Sequence, residues 1–187
     1  MARPALKKAD IIEAAINLFA TKGLARTSIR DIASTAEVTE GALYRHWDGK
    51  EAMAWALYCQ ELSTFAEAFR EQLNWSGIRG DSPATAVAFA DRLRAGITFV
   101  YEYYRANPKK FAFILLTQHG FLEKQYEPES PYEIVEQIVA AELAAMTGGS
   151  DQVTEEIKFI AALMLGATLE PIKYHWRGWA VMDPLER

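Results

Sequence analysis

The chain has 187 residues, half of them apolar and 24% charged, which excludes a disordered segment and bounds the protein to one or two domains. Its net charge of −5 is unevenly spread: residues 1–50 hold eight Lys/Arg against six Asp/Glu and residues 51–187 twelve against nineteen, so only the first part suits a polyanion. The single cysteine, Cys59, excludes an internal disulfide framework, no apolar run approaches the ~18 residues of a membrane span, and the basic start lacks a signal peptide's apolar core, so a cytoplasmic protein is expected.

In chain order the signals are helical. Ile11, Ala15, Leu18 and Phe19 form an apolar stripe over a first helix from Lys8 to Lys22, stopped by Gly23. Thr27 is the expected N-cap of a short helix, Ser28 to Thr35, with Ile29, Ile32 and Ala33 inward. Thr39 caps a second short helix, Glu40 to His46, with Leu43 and Trp47 inward. Lys50 opens a long helix to Leu73, and residues 74–83 read as a loop. Ser82-Pro83, Asn107-Pro108 and Ser130-Pro131 each pair a cap with proline at the first helical position. They start helices that reach Ala106, Gln118 and Met146. Gly148-Gly149 ends the last of these, and Asp151 begins a final helix to Arg177, with a kink expected at Pro171. Sustained period-two alternation is missing, so the fold class is all-α, with about eight helices.

The chemistry concentrates between Thr27 and Lys50. Two short helices joined by Ala36-Glu37-Val38 form a helix-turn-helix pattern. Val38, Leu43 and Trp47 fill its interior, which leaves Thr39, Glu40, Gly41, Ala42, Tyr44, Arg45 and His46 without core duty. These are small, planar or cationic groups on a helix that fits a ~12 Å major groove. Arg45 can donate two bonds to a guanine edge, Ala42 can touch a thymine methyl, and Tyr44 and His46 can reach phosphates or bases. Gly41 lets the backbone come close. Glu40 can accept from a cytosine amino group, orient Arg45 or support its own helix start. Thr27 and Ser28 at a helix N-terminus, and Lys50 at the next, are the expected phosphate anchors.

Residues 6–55 resemble the DNA-binding domain of the TetR family of bacterial transcriptional regulators. The matching residues are Ile11, Ala14, Ala15, Leu18, Phe19 and Gly23, then Thr27, Ser28, Ile32 and Ala33, then Val38, Gly41, Leu43, Tyr44, His46 and Lys50. Three positions depart from the pattern: Glu37 where the turn usually has Gly, Trp47 for Phe, and Gly49 for a Ser or Asn cap. The resemblance implies a homodimer on a double-stranded DNA operator, a second helical domain that binds a small-molecule effector, and repression relieved by it. On that basis residues 1–49 form the DNA-binding domain and 50–187 the ligand-binding and dimerisation domain. The resemblance also implies pairing through the last two helices, where Ala140, Ala141, Ala144, Ala145, Ala161, Ala162, Gly166 and Ala167 allow close approach.

The aromatic load of the middle helices fits a cavity for an apolar or aromatic ligand, neutral or anionic. Its expected walls are Trp55, Tyr58, Phe65, Phe89, Tyr103, Phe113 and His119, on the helices opening at Lys50, Pro83, Pro108 and Pro131. His46, His119 and His175 have no metal-like spacing, and nucleophile elbows, phosphate-cradling loops and dinucleotide fingerprints are absent from the sequence. No enzyme, metal or cofactor is expected. The competing class is an all-α ligand carrier or enzyme without DNA binding.

Overall fold

The computed structural model describes residues 4–73, 86–117 and 130–179, and among them the regular structure is entirely α-helical. The helices are α1 (Pro4–Lys22), α2 (Ile29–Thr35), α3 (Glu40–Tyr44), α4 (Lys50–Gln72), α5 (Ala86–Ala106), α6 (Pro108–Thr117), α7 (Pro131–Thr147) and α8 (Glu155–Trp176). The all-α class is as expected. The loop expected at 74–83 and the residue His119 lie outside the described residues. No described helix is long and apolar enough to cross a membrane.

Hydroxyl caps set several boundaries. The cap of α2 is Ser28 rather than Thr27: Ser28 Oγ accepts from the Asp31 amide at 3.1 Å, and the Asp31 carboxylate accepts from the Ser28 amide at 2.9 Å. That reciprocal box satisfies two otherwise orphaned donors. Ser130 and Glu133 repeat it at α7, whose end is turned by Gly148 at φ 68°. α8 starts later than Asp151, because Thr154 supplies the cap. Pro171 lies exposed inside α8 without ending it. α3 is shorter than expected, since Arg45 is already its C-cap and His46 lies beyond it.

The helices fall into two compact units, residues 1–62 with 107–125, and residues 63–106 with 126–187. In the first, α1 packs along α6 and against α2, and α2 against α3. Phe19 of α1 stacks on Phe113 of α6 with ring centroids 5.8 Å apart, and Tyr58 meets Phe113 edge-on at 6.5 Å. Ile32, Leu43, Met53 and Leu57 are sealed in the same core, each worth about 1.5–3 kcal/mol on full burial. The buried Glu61 carboxylate of α4 pairs with Lys110 of α6 at 3.1 Å.

In the second unit α8 packs against α7 and α5. Tyr104 and His175 share a hydrogen bond of 2.9 Å between α5 and α8. Phe65, Phe69, Phe99 and Tyr103 pack ring to ring at 5.0–5.9 Å. Two of the small residues assigned to pairing between chains belong to this interior instead: Ala140 and Ala161 are fully buried. Ala162 and Ala167 are exposed, and Gly166 has open space where a Cβ would sit. Beside them α8 exposes Phe159, Leu163 and Tyr174, at 65%, 57% and 49% of full exposure.

Candidate functional site

The helix-turn-helix is closed by backbone geometry. The amide of Ala36 reaches the Ile32 carbonyl at 2.9 Å, and that of Val38 reaches the Ala33 carbonyl at 2.9 Å. Between them Glu37 takes φ 53°, a left-handed conformation that costs a residue with a Cβ about 1–2 kcal/mol. The turn therefore keeps the geometry that suits glycine despite carrying Glu. Gly49 explains the departure next to Lys50: its φ of 142° is one that Ser or Asn rarely adopts, and its carbonyl accepts from the Met53 amide at 3.0 Å to open α4. Trp47 is half-buried rather than engulfed, edge-on to His46 at 5.4 Å and with Lys8 Nζ 5.8 Å above its ring, which accommodates its extra bulk.

The expected contact residues divide. Thr39, Glu40, Gly41, Tyr44, Arg45 and His46 are exposed, Tyr44 at 56%. The Thr39 side chain makes no capping bond to α3, although Thr39 stands at its N-cap. Two residues are not on this surface. Ala42 is 6% exposed, its methyl turned into the core beside Leu43. Thr27 is 2% exposed, and its hydroxyl donates to the Gly23 carbonyl at 2.9 Å, tying the end of α1 to the start of α2. The exposed hydroxyl at that helix start is Ser28, which also donates to Asp31 at 2.8 Å. These bonds from Ser28 hold the Asp31 carboxyl below its ordinary range.

A shallow concavity joins the ends of α2, α3 and α4, lined by Ser28, Glu40, Tyr44 and Lys50 together with Arg26 and Arg30. The two arginines were not singled out from the sequence. Their signal was present, since Lys22, Arg26 and Arg30 recur at a spacing of four. Arg26 is held by its Nε donating to the Lys22 carbonyl at 2.8 Å. Beside the Glu40 carboxylate and the Ser28 hydroxyl already given to Asp31, one face thus carries three cations, a phenol and, on the neighbouring turn, the Arg45 guanidinium. That is a set of donors for phosphate oxygens and base edges.

The second unit holds an apolar cavity between the C-terminal half of α4, α5, α7 and α8. Of the seven expected wall residues, it is lined by Phe89 alone among those described. Trp55, Tyr58 and Phe113 belong to the first unit, where Trp55 stacks on Tyr58 at 5.9 Å and Tyr58 meets Phe113. Phe65 and Tyr103 fill space against each other, edge to face at 5.0 Å. The wall assigned to α6 is formed by α8 through Met164, Leu165 and Thr168. Most of the lining is aliphatic, and Gly96 brings α5 close to α4: a Cβ there would lie 3.1 Å from Leu73 Cδ2. The cavity is small, about 50 Å³. Arg92, at one wall, is a further residue not anticipated from the sequence.

Comparison with known proteins gives these features a context. Residues 11–57 match the family model for bacterial regulatory proteins of the tetR family. The repressor KstR2 of Rhodococcus jostii is 35% identical over 101 residues, covering 54% of this chain and 45% of that protein. The chain spans less than half the length of the curated relatives it matches. Among solved structures, a TetR-like transcriptional regulator from Rhodococcus superposes with a TM-score of 0.66 at 21% identity, covering 96% of this chain and 88% of that one. The regulator FadR of Bacillus subtilis, solved in complex with stearoyl-CoA, superposes with a TM-score of 0.59 at 17% identity, covering 94% and 90%. These two likenesses establish the fold.

Proposed function

Through residues 11–57 this chain belongs to the tetR family of bacterial regulatory proteins, and from that premise we propose that it is a ligand-responsive transcriptional repressor acting as a homodimer on a pseudo-palindromic operator. The observation that carries the reading is the exposed set Thr39, Glu40, Gly41, Tyr44, Arg45 and His46, flanked by the cations Arg26, Arg30 and Lys50. Arg45 and Tyr44 read base edges, and the flanking cations hold phosphates. Gly41 supports the reading from a different side. A Cβ at that position would meet nothing closer than Thr39 Oγ1 at 3.9 Å, so the fold of the single chain does not require glycine there. A bare Cα is useful where another surface approaches the backbone.

The division of labour falls at residues 49 and 50, with base contacts before, Lys50 as a phosphate anchor on the boundary, and effector and dimer contacts after. Packing groups the start of α4 and all of α6 with the DNA-contacting helices. The dimer forms through α7 and α8, whose exposed Leu143, Met146, Phe159, Leu163 and Tyr174 beside Gly166 and Ala167 offer an apolar stripe with close-approach positions. The effector is a small, largely apolar molecule entering the cavity of the second unit. That a neighbour of the same fold was solved with an acyl-CoA makes this body plan suited to elongated apolar ligands.

An electrophoretic shift with the DNA flanking the gene tests the reading. Retardation by the wild-type chain, lost in Arg45→Ala with the helical content retained, is expected. Equal retardation of every fragment, unaffected by Arg45→Ala, contradicts it. The carrier or enzyme reading would gain only from a protein that shifts no DNA at all.

A further inference from the structure

Trp47 stands where the pattern of the helix-turn-helix has Phe, and its larger ring carries a contact at the surface. The Lys8 ammonium of α1 lies 5.8 Å from the indole centroid, within the ~6 Å over which a cation is drawn to a ring face, and indole is the best of the aromatic partners. His46 meets the same ring edge-on at 5.4 Å. Lys8 is thereby held beside the last residues of the exposed set, outside the concavity that gathers Arg26, Arg30 and Lys50. The indole occupies one side of the ammonium. Lys8 is exposed and makes no ion pair with a carboxylate among the described residues. Its three N–H donors otherwise face solvent. Nor does α1 gain from the charge. Its first turn has no acidic residue, and Lys7 and Lys8 follow near the positive end of the helix dipole, where cations are disfavoured.

We propose that Lys8 is a phosphate contact of the DNA interface and that Trp47 is its positioning residue. The inference rests on the DNA-binding reading above and adds a cation which that reading does not use. An ammonium is a point charge without the planar fork that reads a base edge, so its match is a phosphate oxygen and its contribution is independent of sequence. A lysine free in solvent loses rotamer freedom when it grips a phosphate, and one already resting on an indole has less to lose. The ring carries no formal charge, so it holds the ammonium without neutralising it. A carboxylate in its place would hold Lys8 and cancel its attraction for DNA. Phenylalanine would fill the interior and present a weaker face to the cation.

The test is fluorescence anisotropy of a labelled duplex of arbitrary sequence, titrated with the full chain over a series of potassium chloride concentrations. Lys8→Gln is expected to lower the slope of log affinity against log salt by about one unit, and Lys8→Arg to restore it. Trp47→Leu should weaken binding about two- to tenfold at fixed salt, the ordering cost of one long side chain, and the same substitution in Lys8→Gln should cost nothing further. Trp47→Phe, which keeps an aromatic ring in the interior, should show the same dependence on Lys8 at reduced size, so the comparison stands even where Trp47→Leu loses helical content. An unchanged slope in Lys8→Gln overturns the contact and leaves the DNA-binding reading in place. Losses from both Trp47 substitutions that are equal with and without Lys8 make Trp47 structural and overturn its positioning role. A wild-type chain that binds no duplex at all contradicts the DNA-binding reading itself.

Discussion

The helix-turn-helix and the cavity are both made of helices, yet they solve opposite problems. The first presents polar groups on very short helices, α2 of seven residues and α3 of five. Helices of that length are unstable alone, so caps, a left-handed turn and the α1 and α6 scaffold hold them. The second encloses an apolar space among long helices whose stability comes from packing, with the partly exposed Arg92 at one wall. The first region is fixed by local chemistry and the second by what meets across tens of residues.

That contrast can be broken experimentally at several points. The largest effect is expected on DNA. Arg45→Ala and Tyr44→Ala should each remove about 1–3 kcal/mol of base discrimination, read as loss of retardation on the operator with unchanged circular dichroism. Ala42→Ser, by contrast, should act on stability, because the Ala42 methyl is in the core. The second effect is on assembly. Gly166→Leu places a bulky side chain where the single chain has open space, so it should leave the fold intact and give monomers in sedimentation velocity. A monomeric wild type at micromolar concentration would remove the dimer.

A smaller effect is expected in the turn. Glu37→Gly should relieve the strain of a left-handed Cβ residue and stabilise the chain by up to about 1 kcal/mol, seen as a higher midpoint in thermal unfolding. Lys50→Ala or Arg30→Ala should lower the salt slope of DNA binding by about one unit each, without changing which sequence is preferred. The smallest is a pH effect. Hydrogen bonds from Ser28 lower the Asp31 carboxyl below its ordinary value of 3.8 in the fold. A depressed pKa contributes stability that is present above the ordinary value and is lost as pH falls through the lowered one. The amide of Ser28 should therefore lose exchange protection only in that acid range, and Asp31→Asn should abolish the dependence.

How legible each region is in the sequence follows from the same contrast. Turn position, the exposure of Tyr44, Arg45 and His46, and the stop at Gly148 are readable because each is a local signal. The misplacement of one cap is instructive: Thr27 and Ser28 are adjacent hydroxyls, and Asp31, three residues after Ser28, was the sign that selects Ser28. Ala42 was misjudged because a five-residue helix turns two successive residues, Ala42 and Leu43, inward. The cavity was not readable from aromatic content. Rings such as Phe65, Phe69 and Tyr103 fill space by packing on one another, and it is aliphatic walls with Gly96 that leave a gap. Arg92 and Glu142, an ion pair between α5 and α7 in which Glu142 is 3% exposed, look like ordinary surface charges in the sequence. The one hint was Glu142 inside the apolar run from Ile138 to Met146.

The most direct test of the account is selection of random-sequence duplex DNA on the full chain, with Arg45→Ala run in parallel. The account predicts an enriched motif with two inverted half-sites centred about 34–36 Å apart, or a multiple of that spacing, and degeneracy at one position of each half-site in Arg45→Ala. A chain that enriches no motif, or the same motif with and without Arg45, would contradict it.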